Sequence, residues 1–231
     1  MLFGFEWDTS TLFSFAISVL PILLYAGITT VKAAVVGFLL AMVVGLVLAG
    51  LKGSPSRLIS WPTSFVLEFL RGTPLLVQLF FVFYVFPDWT GWLIPPFIAG
   101  AIGLALQYSA YCAEVYRAGI EAVPNGQKEA ARALSLPPMH TFFKIIIPQA
   151  IPRVIPALGN YVVSIIKDTP VLSAITVLEM LKSAQIIGDR TFQYMVPLTI
   201  VGALYLILTV LAASLVRFID ARLPKQGIPL K

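Results

Sequence analysis

The stretch Asn125–Ala150, NGQKEAARALSLPPMHTFFKIIIPQA, decides the reading of this chain. It carries charge, a histidine and three prolines, and apolar runs flank it on both sides. Pro124-Asn125-Gly126 marks a turn, and Asn125 is placed to cap a following helix. Gln127–Leu134 is built from strong helix formers, with Glu129 expected in the first turn, where the helix dipole favours an anion. Ser135-Leu136-Pro137-Pro138 stops that helix and starts another, because proline is tolerated at the first helical position. Phe142, Phe143, Ile145, Ile146 and Ile147 then lead back toward a bilayer, and Pro148 opens the next apolar run. The pattern predicts a short helix, a hard bend and a second helix, held rigidly at a membrane surface.

Working outward, the rest of the chain is mostly oil. Of its 231 residues, 58% are hydrophobic and 12% charged, with a mean hydropathy of +0.91. A soluble domain carries about 25% charged residues. The expectation is an all-α integral membrane protein forming a single domain over 1–231. A span needs about 20 apolar residues. Five are expected, at about 24–50, 63–86, 94–118, 148–167 and 195–217. Residues 1–20 alternate aromatic and polar groups and read as an interfacial segment without the basic region or cleavage site of a signal peptide. The stretch 171–181 is too short to cross and reads as a re-entrant or cavity-lining helix.

Twelve basic residues, among them Lys52, Arg57, Arg117, Lys128, Arg132 and Arg217, fall on one side of these spans. Three, Lys167, Lys182 and Arg190, fall on the other. By the positive-inside rule the N-terminus is outside, the C-terminus is inside, and Asn125–Ala150 faces the cytoplasm. The net charge of +5 is thus topological rather than a nucleic-acid patch. The lone Cys112 allows no intrachain disulfide, and His140 reads as a surface residue. Trp89 and Trp92, with Asp88 and Gly91, read as an outer anchor. No phosphate-cradling glycine loop occurs, so ATP chemistry is not expected in this chain.

Several features lie at membrane depth. Ala33, Gly37, Ala41, Gly45 and Ala49 form a small-residue stripe that suits close packing, within the chain or in a dimer seam. Glu68 and Arg71, and Glu114 and Arg117, are spaced by three; cross-pairing of Arg71 with Glu114 is an alternative. These four read as ion pairs that set helix register or line a gate. Lys167-Asp168-Thr169-Pro170 ends the fourth span with opposite charges, where Pro170 is expected to break the helix. Broken helices with polar groups at membrane depth are where transporters bind solutes. A solute cavity lined by Asp168, Lys167, Thr169 and Ser173, with Gln78 and Glu114 opposite, is expected; a self-satisfied Lys167–Asp168 pair is the competing reading.

EAARAL and FFKIIIPQA, together with EFLRGTPLLVQLFFVFY (68–84), AYCAEVYRAGIEAVPNGQKEAARAL (110–134) and PQAIPRVIPALGNYVVSIIKDTP (148–170), resemble the permease subunits of ABC importers in the polar amino-acid branch. The resemblance covers nearly the whole chain. It implies the type I importer permease fold, with five transmembrane helices, N-terminus outside and C-terminus inside. It implies that the EAA loop, about 123–147, couples to a cytoplasmic ABC ATPase dimer through Gly126, Glu129, Ala130, Ala131, Arg132, Leu134 and Ser135. The chain would then be no enzyme and would hold no cofactor, ATP being bound by the partner. A second permease subunit, identical or paralogous, and an extracytoplasmic solute-binding protein are implied, in a bacterial cytoplasmic membrane. Gly159–Leu181 followed by TFQYMVPLTIVG (191–202) most resembles permeases for ectoine and hydroxyectoine. The family's usual glycine after the loop's first helix is Ser135 here. Either Ser135 adopts the left-handed backbone at a cost of ~1 kcal/mol, or it caps the second helix in an ordinary conformation. An ion-coupled secondary transporter of a small polar solute remains the alternative reading, with a non-transporting scaffold behind it.

Overall fold

The structure, a computed structural model, describes residue 2 and residues 7–223. Helix α1 runs Leu12–Lys52, 41 residues, with Thr11 Oγ1 accepting the Ser14 N–H at its start. It absorbs much of the segment expected to lie in the interface: residues 12–20 are helical, and Phe15 and Val19 are fully buried. The physical reason is the Thr11 cap ahead of a predominantly apolar run that continues helical through Pro21, which lets the span extend outward. Residues 1 and 3–6 of that expected segment lie outside the described residues. The small-residue stripe of α1 is buried against α5 (Pro96–Glu121), described below. A side chain at Gly37 would meet Leu104 Cβ at 2.9 Å, and one at Gly45 would meet Cys112 Cβ and the Ser109 carbonyl at 2.7 Å. The stripe therefore packs within the chain.

The second expected span is not straight. Helix α2 (Arg57–Gly72) and α3 (Leu75–Phe80), which continues through a π-turn at Phe81–Val85 into α4 (Phe86–Thr90), form a pair bent by 106°. Pro74 causes the bend. Thr73 before it is extended (φ −99°, ψ 138°), as the residue preceding a proline must be. Pro74 also lacks the N–H that would have reached the Leu70 carbonyl. Gln78 substitutes for it: Nε2 lies 2.8 Å from the Leu70 carbonyl.

Helix α5 leads into α6 (Asn125–Ala133), the first helix of the polar loop. Asn125 is its first residue and makes no side-chain cap; Pro124 occupies the position before it. This puts Glu129 in the second turn rather than the first. At the bend Ser135 has φ 54°, so the left-handed alternative holds. The Leu136 N–H donates to the Ala131 carbonyl (3.0 Å) and the Ser135 N–H to the Arg132 carbonyl (2.9 Å). These are the two bonds of a Schellman ending, with serine where glycine is usual. Helix α7 (Pro138–Thr141) passes through a π-turn at Phe142–Ile146 into α8 (Ile147–Asp168). Pro170 does not disrupt the chain outright; the helix tightens into a 3₁₀ segment, Thr169–Ile175, whose first turn accepts a proline. Thr176 then turns left-handed at φ 64°. The segment expected as one helix over 171–181 is thus the 3₁₀ end, an elbow and the start of α9 (Met180–Thr191). Helix α10 (Met195–Arg222) closes the bundle. Among the described residues, four helical runs are long and apolar enough to cross a membrane, and the bent pair makes five if it counts as one span.

Candidate functional site

Two regions bring polar groups together: a seam at membrane depth and the loop at the inner end. Helix α5 supplies the seam, because Gln107, Tyr111 and Glu114 sit at i, i+4 and i+7 and share one face. At one end, Gln78 Nε2 approaches Gln107 Oε1 (2.7 Å) as well as the Thr73 hydroxyl (2.8 Å). The Gln107 amide lies 3.3 Å from the Tyr111 hydroxyl. Tyr108, Tyr111 and Tyr161 of α8 form a ring cluster with centroids 5.5–6.1 Å apart. The Tyr108 hydroxyl donates to Asp168 Oδ2 at 2.7 Å. At the other end Glu114 holds Lys52 Nζ at 2.9 Å and Arg117 at 4.0 Å.

The residues expected around the solute fall as follows. Asp168 is half-buried beside the tyrosines, while Lys167 is exposed and makes no ion pair among the described residues. The Lys167–Asp168 self-pair is not formed, since consecutive helical side chains point in different directions. Gln78 is buried and belongs to the bend of α2–α3, joined to Asp168 only through the α5 seam. Glu114 is taken by Lys52, and Arg71 pairs with Glu68 (2.6 Å) rather than with Glu114. Ser173 is half-buried, its carbonyl accepting the Thr176 N–H. Thr169 is fully buried: its hydroxyl donates to the Ile166 carbonyl and touches the Tyr205 hydroxyl at 3.2 Å.

Behind Thr169 lies Glu179, fully buried at membrane depth. Its carboxylate caps α9, accepting the Leu181 and Lys182 N–H groups (2.9 and 2.6 Å), and accepts from the Tyr205 hydroxyl (2.7 Å). Glu179, Tyr205 and Thr169 form a strut fixing the residue next to Asp168. Sequence reasoning missed Gln107, Tyr108, Tyr111, Tyr161 and Glu179. The α5 residues carried a usable signal, polar side chains at helical spacing leading to Glu114. Glu179 carried one too, as an acid just before the helix-forming Met180–Gln185.

In the loop, Gly126, Glu129, Ala130, Arg132, Leu134 and Ser135 are exposed, and Ala131 is buried. Leu134 is 72% exposed and Met139 69%, so the loop presents apolar surface to its surroundings. Underneath, Val123, Ile146 and Ala150 form a small core with Ile120 and Phe142. Gln149 Nε2 lies 3.4 Å from Gln127 Oε1. His140 is exposed.

A bundle with a broken span, a tyrosine-lined acidic seam and a helical surface loop fits a membrane-spanning transport subunit. The chain belongs to the family described as the binding-protein-dependent transport system inner membrane component, which matches residues 41–225. It is 57% identical to a probable amino-acid ABC transporter permease protein of Sinorhizobium fredii over 100% of both chains. It is 36% identical to a putative glutamine transport system permease protein of Rickettsia bellii (84% of this chain, 89% of the relative). It is 32% identical to an arginine transport system permease protein of Bacillus subtilis (91% and 96%). Among solved structures, an amino acid ABC transporter with histidines superposes with a TM-score of 0.83 at 36% identity, covering 88% of this chain and 94% of that one. The chain is therefore an inner-membrane permease subunit of an amino-acid ABC importer.

Proposed function

We propose that this subunit passes zwitterionic amino acids or related polar solutes along a pathway lined by the α5–α8 seam, driven by ATP hydrolysis in a separate dimeric ATPase docked on the EAA loop. The observation that carries the solute class is the Asp168 carboxylate held by the Tyr108 hydroxyl, whose ring packs with those of Tyr111 and Tyr161. A carboxylate and tyrosine faces attract an ammonium group. Lys167, the residue before Asp168, is exposed on a different face of α8 and is not part of this seam. Within that class, ectoine and hydroxyectoine are the narrower candidates, on the resemblance of 159–181. The exposed face of α6, with Glu129, Arg132, Leu134 and Ser135, is the surface offered to the ATPase. A second permease subunit would complete the pathway, and a solute-binding protein would deliver the solute outside.

The test begins by purifying the tagged chain from its own host and identifying what accompanies it by mass spectrometry. The complex is then reconstituted in vesicles, and uptake of labelled glutamine, arginine and ectoine is measured with ATP inside. ATP-dependent uptake abolished by Asp168→Asn, with assembly intact, is expected. Normal uptake by that variant would remove Asp168 from the pathway. Uptake that proceeds without any ATPase and stops with an uncoupler would establish the secondary-transporter reading instead.

A further inference from the structure

Helix α5 ends at Glu121, and its last carbonyls have no partner within the helix. One of these ends is met from another element: the Arg153 guanidinium, in the second turn of α8, donates through Nη1 to the Ala122 carbonyl. Arginine suits this place because a cation near a helix C-terminus satisfies carbonyls and matches the dipole. The bond spans 31 positions, and the polar loop lies between its ends. The same crossing is tightened from below. Gly119 packs against Val154, and a side chain there would also meet the Ala150 carbonyl at 3.5 Å. The loop is thus a closed ring whose two feet, the end of α5 and the start of α8, are fastened together. Without the fastening, a displacement of α6 could be absorbed by one foot alone.

We infer that Arg153 is the positioning residue that makes α5 and α8 move as one body when α6 is pushed, acting through the Ala122 carbonyl. This rests on the coupling reading of α6 proposed above. α5 and α8 are the two helices that carry Tyr108 and Asp168, so a joint movement delivers loop displacement to both sides of the seam.

The experiment uses the whole complex of permease, ATPase and solute-binding protein in lipid vesicles. Three quantities are measured for wild type, Arg153→Met, Arg153→Gln and Arg153→Lys: ATPase retained on the purified permease, ATP hydrolysis without solute, and its stimulation by loaded binding protein. Arg153→Met keeps the ATPase and the unstimulated rate but loses stimulation by about tenfold, within the range that intersite coupling spans. Arg153→Lys, which still donates to a carbonyl, recovers a substantial part, and Arg153→Gln falls between. A folded Arg153→Met or Arg153→Gln variant with normal stimulation overturns the inference. Loss of ATPase binding in step with loss of stimulation also overturns it, because Arg153 would then serve docking. A wild-type chain that never binds an ATPase defeats the coupling reading itself, and the inference falls with it.

Discussion

Gln78→Leu tests whether the bend at Pro74 is held by a side chain. Gln78 Nε2 has four acceptors within 3.2 Å, the Leu70 and Thr73 carbonyls, the Thr73 hydroxyl and Gln107 Oε1, and only two hydrogens to give. Leucine removes both hydrogens in a site that is 6% exposed. Two buried acceptors then lose their donor at about 1–3 kcal/mol each. The substitution also removes Gln78 Oε1, itself buried without a partner among the described residues, which returns a similar amount once. The net loss is about 1–3 kcal/mol, or roughly 2–12 °C in melting temperature for a chain of this size. The assay is thermal unfolding of the purified chain in detergent. A double-mutant cycle makes it specific. Pro74→Ala supplies an N–H able to reach the Leu70 carbonyl, so in that background Gln78→Leu costs at least about 1 kcal/mol less. Equal costs in both backgrounds, or a Gln78→Leu chain as stable as wild type, would refute the bracket.

Ser135→Gly relieves a left-handed serine and raises the melting temperature by roughly 2–4 °C, for about 1 kcal/mol; Ser135→Val lowers it. Gly45→Leu drives a side chain into the Ser109 carbonyl and Cys112, costing about 1–3 kcal/mol by overpacking, visible as a lower melting temperature. Tyr205→Phe deprives the fully buried Glu179 of a hydroxyl donor and destabilises by about 1.5–3 kcal/mol, and Glu179→Gln recovers part of the loss in that background.

Fold class, inner-membrane location and the helical path of the loop were legible because they depend on long-range averages and short-range rules. Apolar length marks spans, and proline and helix formers mark the loop. What escaped the sequence depends on distant residues meeting. Pro74 was visible, yet a proline alone does not say whether a helix kinks slightly or turns by 106°; that depends on Gln78 capturing the freed carbonyls and packing against Gln107. Glu68, Arg71, Glu114 and Arg117 were legible as charges, but the partner of Glu114 proved to be Lys52 from the end of α1. The seam was read mainly from its α8 side, with Glu114 the α5 residue named opposite. Its α5 side is written in Gln107, Tyr108 and Tyr111, polar residues that pass for ordinary interior of an apolar helix until Asp168 is placed against them.

The bend at Pro74 also bears on how the protein is made. The piece beyond it, Leu75–Thr90, holds 16 residues, about 24 Å of helix, which falls short of ~30 Å of hydrocarbon. The donor that seals the bend reaches across to Gln107, synthesised 29 positions later. The carbonyls at the bend are met from within 57–90, but Gln78 is fully packed only once Gln107 is in place. The segment 57–90 is therefore expected to gain protease resistance in the membrane only after α5 has been made, which nascent chains truncated before and after Gln107 would test.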